Sequence, residues 1–437
     1  EKQVIANMEA FSLKGAIFNY RREYINKTMA SSVASPDKSY IIRKSHKADK
    51  WIMHPFFGAL IFLLVMFGIY FITFDFFGNI LSAGMEYIIN DIIGVFLRDF
   101  LLMLGLKENG IIMSLALEGI LKGVGGVLVF LPQITLLFLL LSVIESTGYM
   151  VRVAMMLDSL LSKFGLNGRS VIPLITGMGC NVPAIMATRT IADKKERLLT
   201  ILIIPFMSCS ARIPIYALLA SLFFPKYKAL AIMGMYLIGI VVALISAKIL
   251  SLSLFKNTAN QFVLEIPPYR FPSKKNVYRQ TKIMIKDFIE KAGKFILIGT
   301  IVLWFLQYVG PNGIAQPGSE SFLAYLGNFF APLFIPLGFG NWAATSSLIV
   351  GFLAKELILA SMWVIYGGET VIAASFTGLS AFSFMVFSLL YLPCLATVGT
   401  IKQESKSWSF TIFTLIFTFG VAYLVSLAVY QIGLLFI

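Results

Sequence analysis

Long apolar segments alternate with short polar ones along most of the chain, and this spacing predicts helices that cross a membrane. A bilayer core of about 30 Å needs about 20 consecutive apolar residues in one helix. With broken segments included, roughly eight crossing or re-entrant elements are expected, so the predicted fold class is an all-α polytopic membrane protein. The predicted spans lie at about 55–77, 123–146, 229–255, 295–309, 342–366 and 409–437.

Two further apolar segments, about 170–190 and 199–224, are interrupted by helix-breaking residues. The interruptions are Gly177–Pro183 and Pro205–Pro214. Lipid cannot satisfy unwound backbone, so such breaks must face protein or a wet cavity, and they are typical of transport sites. Basic residues flank 170–190 on both sides, which leaves open a single crossing or a re-entrant hairpin. The glycines and proline of its interruption favour the hairpin.

Three connecting segments are predicted to lie outside the bilayer core. Residues 78–108 carry too many charges to span and are too apolar for a loop, which favours an amphipathic helix along the outer surface. Residues 149–169 are read as a polar connection with an amphipathic piece. Residues 310–341 are rich in Pro and Gly and are expected to be external.

The beginning of the chain is much more polar than the remainder. Residues 1–30 have the pattern of an amphipathic helix, and residues 31–50 are a polar linker. We therefore expect 1–50 to be a cytosolic helix and linker that form the tail of a missing soluble domain. The transmembrane transport domain is expected at 51–437, with gate regions at about 170–255 and 342–437.

A short internal similarity suggests that the transport domain contains a repeat. Pro183–Ile191 aligns without gaps to Pro393–Ile401, and three of the aligned residues are identical. A charged turn and another apolar helix follow each of the two segments. Because two repeats that meet at a midplane site are a common plan of transporters, an internal repeat is expected here.

The charge of the chain is low in density and uneven in distribution. Only 13% of the residues are charged, 58% are hydrophobic and the formal net charge is +14. Lys and Arg concentrate in residues 1–54 and 256–294 and are absent from 310–341. Cytoplasmic loops are enriched in Lys and Arg, so the N-terminus and the second basic segment are placed in the cytosol. The basic excess therefore indicates topology and contact with anionic lipid, not a nucleic-acid partner.

The three cysteines lie in apolar segments, each within four residues of a proline. Cys180, Cys209 and Cys394 either pack as small hydrophobic side chains or serve as metal ligands. Thiol, carbonyl and amide groups together suit a first-row divalent metal, whereas Mg²⁺ and Ca²⁺ prefer oxygen ligands. Asn181, Ser208 and Ser210 stand beside two of these thiols and add polar groups to the predicted metal site.

Four ionisable residues in or beside the apolar segments are further candidates. A charge at the centre of a membrane helix costs at least about 2.5–3.5 kcal/mol. Lys355 and Glu356 are either a mutually satisfied ion pair or a functional pair, in which the lysine holds a carboxylate that attracts cations. Adjacent residues of a helix do not face each other, which favours the interpretation that each has another partner. Glu145 is either an interface anchor or an entry-path carboxylate. Arg212 has no obvious partner, and neutralisation of Glu356 is one interpretation.

Several catalytic motifs are absent from the sequence. It contains no G-x-x-x-x-G-K-[ST] phosphate loop, no H-E-x-x-H zinc-protease motif and no G-x-S-x-G nucleophile motif. The chain is therefore not expected to be an enzyme.

At the interrupted segments the chain resembles the family of ferrous iron transport protein B. Two segments are similar to the gate motifs of this family, Gly179–Thr190 and Pro205–Arg212. Three more segments also match it, namely Gly125–Gln133, Glu145–Tyr149 and Leu392–Thr397. Each motif alone has low specificity, but their combination is highly specific to this family.

The resemblance covers about 51–437 and implies an importer of Fe²⁺ in the inner membrane of a bacterium, multi-pass with a cytoplasmic N-terminus. The family normally carries a GTP-binding domain with a helical regulator ahead of the membrane part, and residues 1–30 are similar to the last helix of that regulator. GTP and Mg²⁺ would then bind only through a domain missing from this sequence, in the same or a separate chain. Small cytosolic accessory proteins and a homo-oligomer are further expected partners.

The resemblance also implies roles for individual residues. The metal-handling cysteines of the family carry over to Cys180, Cys209 and Cys394, and its intramembrane acid to Glu356. One alternative is a transporter of an organic solute such as a nucleoside on a related gate-type fold, with the thiols as packing. Another is a membrane anchor for the missing domain, without transport. The expected pore or gate residues are Gly179, Asn181, Pro183, Ser208, Ser210, Arg212, Lys355 and Glu145.

Overall fold

Internal contacts divide the chain into two units, Glu1–Trp51 and Ile52–Ile437. The helix and linker predicted for residues 1–50 fall almost entirely outside the residues that the structure describes, as does the start of the basic segment 256–294. The second unit contains the predicted membrane helices. The computed structural model describes residues 23–24, 49–105, 110–255, 269–310, 313–314 and 321–436.

The first part of the second unit is a series of helices that ends at a sharp bend. Short π-helical stretches extend or join several of them, so that Gly78–Met103 is one continuous helical segment. The bend lies at Gly148, whose φ of 81° is readily adopted only by glycine. The segments on its two sides meet at 78°. The helices are α1 (Pro55–Tyr70), α2 (Gly78–Tyr87), α3 (Val95–Met103), α4 (Ile111–Ser114), α5 (Lys122–Thr147) and α6 (Tyr149–Leu161).

The first gate region contains two helix breaks. At break 1 (Cys180) the backbone is extended, because the ring of Pro183 is incompatible with a helical carbonyl four residues earlier, at Gly179. At break 2 (Ile204–Arg212) two short 3₁₀ turns flank the extended residues Met207–Cys209. The helices are α7 (Val171–Gly179), α8 (Asn181–Ala187), α9 (Lys194–Ile203), α10 (Ile213–Phe223) and α11 (Lys228–Ser253).

The second gate region contains two more breaks. Break 3 (Ala354–Glu356) has no proline, whereas break 4 (Tyr391–Cys394) contains Pro393, which disfavours helix at the residue before it. A two-residue antiparallel pair, β1 (Val309–Gly310) and β2 (Gly313–Ile314), follows the long helix α12. The helices are α12 (Lys274–Tyr308), α13 (Phe322–Phe334), α14 (Trp342–Leu353), α15 (Leu357–Tyr366), α16 (Glu369–Ser375), α17 (Gly378–Leu390), α18 (Leu395–Ser405) and α19 (Trp408–Leu434).

The helices confirm an all-α polytopic membrane protein. Within the described ranges, 6 helices are long and apolar enough to cross a membrane, or up to 9 if each of three bent pairs forms one crossing. The prediction of about eight elements lies between these counts. Buried apolar side chains of α7–α11 and α14–α19 form one continuous core, so the two gate regions pack together.

Three of the predicted connecting segments differ from the structure. Within 78–108, the helix Ile80–Met103 is long and apolar enough to cross, since its charges are spaced widely and its first 18 residues carry only Glu86 and Asp91. Residues 310–341 include an apolar helix, α13, bent by 103° against α14. The described part of 256–294 is largely helix α12, which continues into the span predicted at 295–309.

An ion-pair cluster connects the two gate regions. Arg189 donates through Nε to both carboxylate oxygens of Glu404, at 3.0 Å each, and its Nη2 forms a further contact. Arg197 Nη2 donates to Glu404 Oε2 at 2.8 Å and to the Glu404 carbonyl at 3.2 Å. The Glu404 side chain is only 5% exposed. These bonds join the start of α9 to the end of α18.

We expect Glu404→Gln to lower the free energy of unfolding by about 1–3 kcal/mol, because the variant loses charge-assisted bonds to two arginines. Thermal unfolding in detergent measures the change. The matched control is Glu290→Gln, which removes an exposed pair with Lys286 at 3.6 Å and should cost less than about 1 kcal/mol. Equal effects of the two variants would contradict a special role of Glu404.

Candidate functional site

All four breaks contribute residues to one cavity of about 470 Å³. It lies against α5 and α12, which supply Gln133 and Phe288 to its wall. Cys180 and Cys394 also pack against the apolar cluster around Phe138 and Phe288. Nine of the predicted site residues line this cavity: Gly179, Cys180, Asn181, Cys209, Ser210, Arg212, Lys355, Glu356 and Cys394.

The thiols and the carboxylate share one structural position. Cys180 precedes α8, Cys394 precedes α18, Glu356 precedes α15 and Cys209 precedes the 3₁₀ turn that leads into α10. The N-terminus of a helix carries partial positive charge and unpaired N–H groups, so it favours negative groups. Each potential ligand therefore stands just before the start of a helical segment. The prediction that Cys180 and Cys209 lie at breaks is confirmed.

Polar backbone and amide groups add to the wall of the cavity. Ser210 Oγ donates to the Gly179 carbonyl at 3.0 Å and thereby connects break 2 to break 1. Asn181 is 5% exposed, and its Oδ1 has no hydrogen-bond partner among the described residues. A buried amide oxygen without a partner is costly unless a ligand or water satisfies it.

The two cations of the cavity bind backbone carbonyls. Arg212 is 0% exposed and donates to the Met207 carbonyl at 3.1 Å and to the Pro205 carbonyl at 3.4 and 3.5 Å. Lys355 Nζ donates to the Leu392 carbonyl at 2.6 Å. Over the described ranges, neither forms an ion pair with a carboxylate. The interpretation that Arg212 neutralises Glu356 is therefore wrong, because its guanidinium is used by the free carbonyls of break 2.

Three predicted residues do not line the cavity. Pro183 is buried within α8, and Ser208 is buried in break 2. Glu145 Oε2 accepts a hydrogen bond from Gln280 Nε2 at 2.9 Å, and Gln280 Oε1 accepts one from Ser142 at 3.0 Å. Glu145 thus lies in a contact between α5 and α12.

Two polar residues of the cavity were not predicted as site residues. Gln133 follows Pro132 inside α5, and its Nε2 donates to Ser82 Oγ at 3.3 Å. Thr397 Oγ1 lies 3.1 Å from Cys394 Sγ. Both belong to segments that resemble the family motifs, which is the signal that could have identified them.

The potential ligands do not form a compact metal cluster. Among the described residues, no group of three or more His, Cys, Asp or Glu side chains is arranged to hold a metal ion. The cavity instead brings three thiols and one carboxylate to a shared space together with two cations. Binding of a divalent ion by several of these ligands would require them to move closer.

Broken helices that meet at one cavity define a class of polytopic membrane proteins whose plan is typical of transporters. The chain belongs to the family of ferrous iron transport protein B. A family model described as the C terminus of that protein matches residues 232–283, and one described as a nucleoside-recognition gate matches residues 127–223 and 289–408.

Individual relatives support the same family. The Fe(2+) transporter FeoB of Staphylococcus aureus strain MSSA476 is 42% identical over 442 residues, which is 100% of this chain and 66% of that protein. The one from Methanocaldococcus jannaschii is 44% identical over 339 residues, 75% of this chain and 50% of that protein. A Porphyromonas gingivalis fusion of Fe(2+) transport protein A with the transporter is 34% identical over 447 residues, 89% of this chain and 52% of the fusion. The chain thus spans 66% or less of these relatives, and no solved structure matches it.

The two gate matches support an internal repeat, but the order of the breaks favours a different register from the predicted one. Each matched segment contains a helix–break–helix unit followed by a second broken helix. Cys180 (φ −154°, ψ 131°) and Ala354 (φ −148°, ψ 129°) have nearly the same backbone conformation. This places Cys180 in register with Ala354, and Cys209 with Cys394. Short sequence identity instead aligned Cys180 with the segment of Cys394.

Proposed function

We propose that this chain moves Fe²⁺ across the membrane through the cavity formed by the four breaks. The observation that carries the proposal is that Cys180, Cys209, Cys394 and Glu356 come from four separate breaks and line one cavity. Thiolate and carboxylate ligands together suit a first-row divalent ion better than Mg²⁺ or Ca²⁺. The names of the relatives point to the same ion.

The residues of the cavity would contribute different chemical groups to the binding of a cation. Glu356 supplies a carboxyl group, the thiols supply soft ligands, and the amide oxygen of Asn181 supplies a buried acceptor. Helix N-termini favour negative groups, so the positions of these ligands at helix starts suit them to a bound cation. Transfer would then require the helices beside the breaks to open the cavity to one side and then to the other.

Several broader features belong to the same proposal. We place the chain in the inner membrane with its N-terminus in the cytoplasm, on the distribution of Lys and Arg. A GTP-binding domain, in the same chain or in a separate one, would supply the response to GTP and Mg²⁺. Small cytosolic proteins are further proposed partners, and the name of one relative, a fusion of Fe(2+) transport protein A with the transporter, supports this proposal. A homo-oligomer remains a prediction.

Transport of an organic solute such as a nucleoside is the second candidate function. Two observations favour it: the family model that matches both gate segments is described as nucleoside recognition, and the ligands among the described residues are not clustered. Uptake that nucleosides inhibit and Fe²⁺ does not would establish this function and contradict the first.

The thiols provide the test of iron binding. In proteoliposomes that contain this chain, Cys180→Ser and Cys209→Ser should each weaken Fe²⁺ or Co²⁺ binding by roughly 10–100-fold, and affect Mn²⁺ less because the hydroxyl is a harder ligand. Isothermal titration and uptake of the metal measure the change. Met178→Leu, a substitution of similar volume beside break 1, is the control and should bind normally. Unchanged affinity in both serine variants would remove the thiols from the mechanism.

A further inference from the structure

Lys355 is a buried lysine that forms no ion pair with a carboxylate within the described ranges. It lies in break 3, is 3% exposed and lines the cavity. Its Nζ donates to the Leu392 carbonyl at 2.6 Å and lies 3.3 Å from the centre of the Tyr391 ring. In the part of the chain that the structure describes, it forms no ion pair. The ammonium is thus held by a backbone carbonyl and an aromatic face, both of which can also bind other cations.

The carbonyl that Lys355 occupies belongs to break 4. Tyr391 and Cys394 are extended on either side of Leu392, so its carbonyl oxygen lies outside the helices. Carbonyls of unwound membrane helices are the groups that coordinate cations in transporters with broken helices. Cys394, two residues further on, is a proposed metal ligand that lines the cavity, as Lys355 does, whereas Leu392 and Tyr391 lie behind the lining residues. The ammonium therefore lies beside the cavity, on a carbonyl that unwound backbone leaves available to cations.

Arg212 and Lys355 bind their carbonyls in different ways. The guanidinium of Arg212 binds two carbonyls of its own break through a rigid fork and is completely buried. Lys355 reaches from one break to another with a single hydrogen bond at the end of a flexible stem. A lysine ammonium is a compact point charge on four rotatable carbons, whereas the planar fork of arginine is fixed by its bonds. Lys355 is therefore the cation that can exchange.

We propose that Lys355 determines the cation specificity of the cavity as a tethered monovalent cation that a divalent ion must displace. The inference rests on the proposed function, because it assumes that a cation enters the cavity. A free monovalent ion would replace the ammonium by an equal charge and gain no attraction to Glu356. A divalent ion doubles this attraction, while the cost of breaking the hydrogen bond of the ammonium stays the same for both kinds of ion. Lys355 thereby excludes K⁺ and Na⁺ while it admits divalent ions.

The test replaces Lys355 by methionine in the full chain and measures two properties in proteoliposomes. The first is Co²⁺ affinity with K⁺ or choline as the background salt, and the second is the flux of K⁺ itself. Removal of the ammonium should raise Co²⁺ affinity about tenfold, since a buried like charge is lost. Co²⁺ binding should become sensitive to K⁺, and the vesicles should begin to admit K⁺.

The two measurements separate the inference from the proposed function. If the wild-type chain binds no Co²⁺, the proposed function fails, while the K⁺ flux of Lys355→Met still decides whether Lys355 excludes monovalent ions. If the wild type binds Co²⁺ and Lys355→Met neither gains affinity nor admits K⁺, the role of Lys355 is overturned and the proposed function stands. The control is Lys248→Met, which removes an exposed lysine that also donates to a carbonyl, that of Lys163, at 2.7 Å. It should leave both properties unchanged.

A second pair of variants addresses the case in which Lys355→Met does not fold. Tyr391→Leu keeps the lysine and removes the aromatic face, so it should shift Co²⁺ affinity and K⁺ flux in the same direction by a smaller amount. Tyr391→Phe keeps the face and removes only the hydroxyl, which donates to the Leu348 carbonyl at 3.2 Å. It should therefore shift Co²⁺ affinity and K⁺ flux much less than Tyr391→Leu does. Equal effects of the two substitutions would overturn the part assigned to the ring.

Discussion

A Glu356→Gln variant is expected to lose most of its affinity for divalent ions and with it the transport of Fe²⁺. Glu356 is the carboxylate of a cavity wall that also carries two cations, Arg212 and Lys355. Without it, the described ionisable side chains of the cavity wall are two cations and three thiols, so an entering cation meets repulsion. We expect binding to weaken at least about 100-fold, which corresponds to about 2.7 kcal/mol. Titration with Co²⁺ and uptake of Fe²⁺ measure the loss.

The control for this variant is Glu369→Gln. Glu369 is an exposed carboxylate in the first turn of α16, in the same half of the chain. Its substitution should change metal affinity by less than about twofold, because exposed charges are strongly screened. Comparable losses in both variants would mean that Glu356 acts through the overall charge of the protein. Normal Fe²⁺ uptake by Glu356→Gln would remove this carboxylate from the transport path.

The sequence predicted two of the four breaks, those marked by Pro183 and Pro205, and Pro393 marks a third that was not predicted as a break. Each of these prolines lacks a backbone N–H and constrains the residue before it, so its effect on the helix is local. Break 3 contains no such residue; there, only the pair Lys355-Glu356 in an apolar segment indicated an unusual site. In break 3 the backbone is extended at Ala354, and the next residue, Lys355, donates a hydrogen bond to the distant Leu392 carbonyl. A contact across 37 positions of the chain cannot be read from local pattern.

The local sequence pattern also could not predict which groups bind the buried charges. Arg212 was assigned to a carboxylate because ion pairs are the commonest solution for a buried charge, yet it binds two carbonyls that break 2 itself exposes. The error has a general cause. Unwinding a membrane helix creates acceptors that sequence does not display as side chains. Such acceptors compete with Glu356 for every cation nearby.

Lengths of helices were less predictable than their number. The charge density of 78–108 and of 256–294 suggested surface segments, whereas the structure has the helix Ile80–Met103 and the 35-residue helix α12. Charges spaced several residues apart can lie at the ends or on one side of a helix that still crosses or reaches a membrane. Averages over a segment conceal this arrangement. The cavity was predicted better, since nine of twelve proposed residues line it.

We expect Arg212→Met to destabilise the fold more than Glu404→Gln does. Arg212 is 0% exposed, and its guanidinium satisfies the carbonyls of Pro205 and Met207 in break 2. Methionine fills a similar volume but donates no hydrogen bond, so both acceptors would be buried without this donor. Each unsatisfied buried acceptor costs about 1–3 kcal/mol, so we expect the free energy of unfolding to fall by about 2–5 kcal/mol. Thermal unfolding in detergent measures the loss.

Two further variants separate this carbonyl-binding role from charge alone. Arg279→Met removes an exposed arginine on α12 and should change stability by less than about 0.5 kcal/mol. Arg212→Lys keeps the charge but has no fork, so it should recover only part of the loss. Full recovery by lysine would show that charge is sufficient at this position. If Arg212→Met is as stable as the wild type, the carbonyls of break 2 must find other donors. The unwound backbone at the cavity would then not depend on a buried cation.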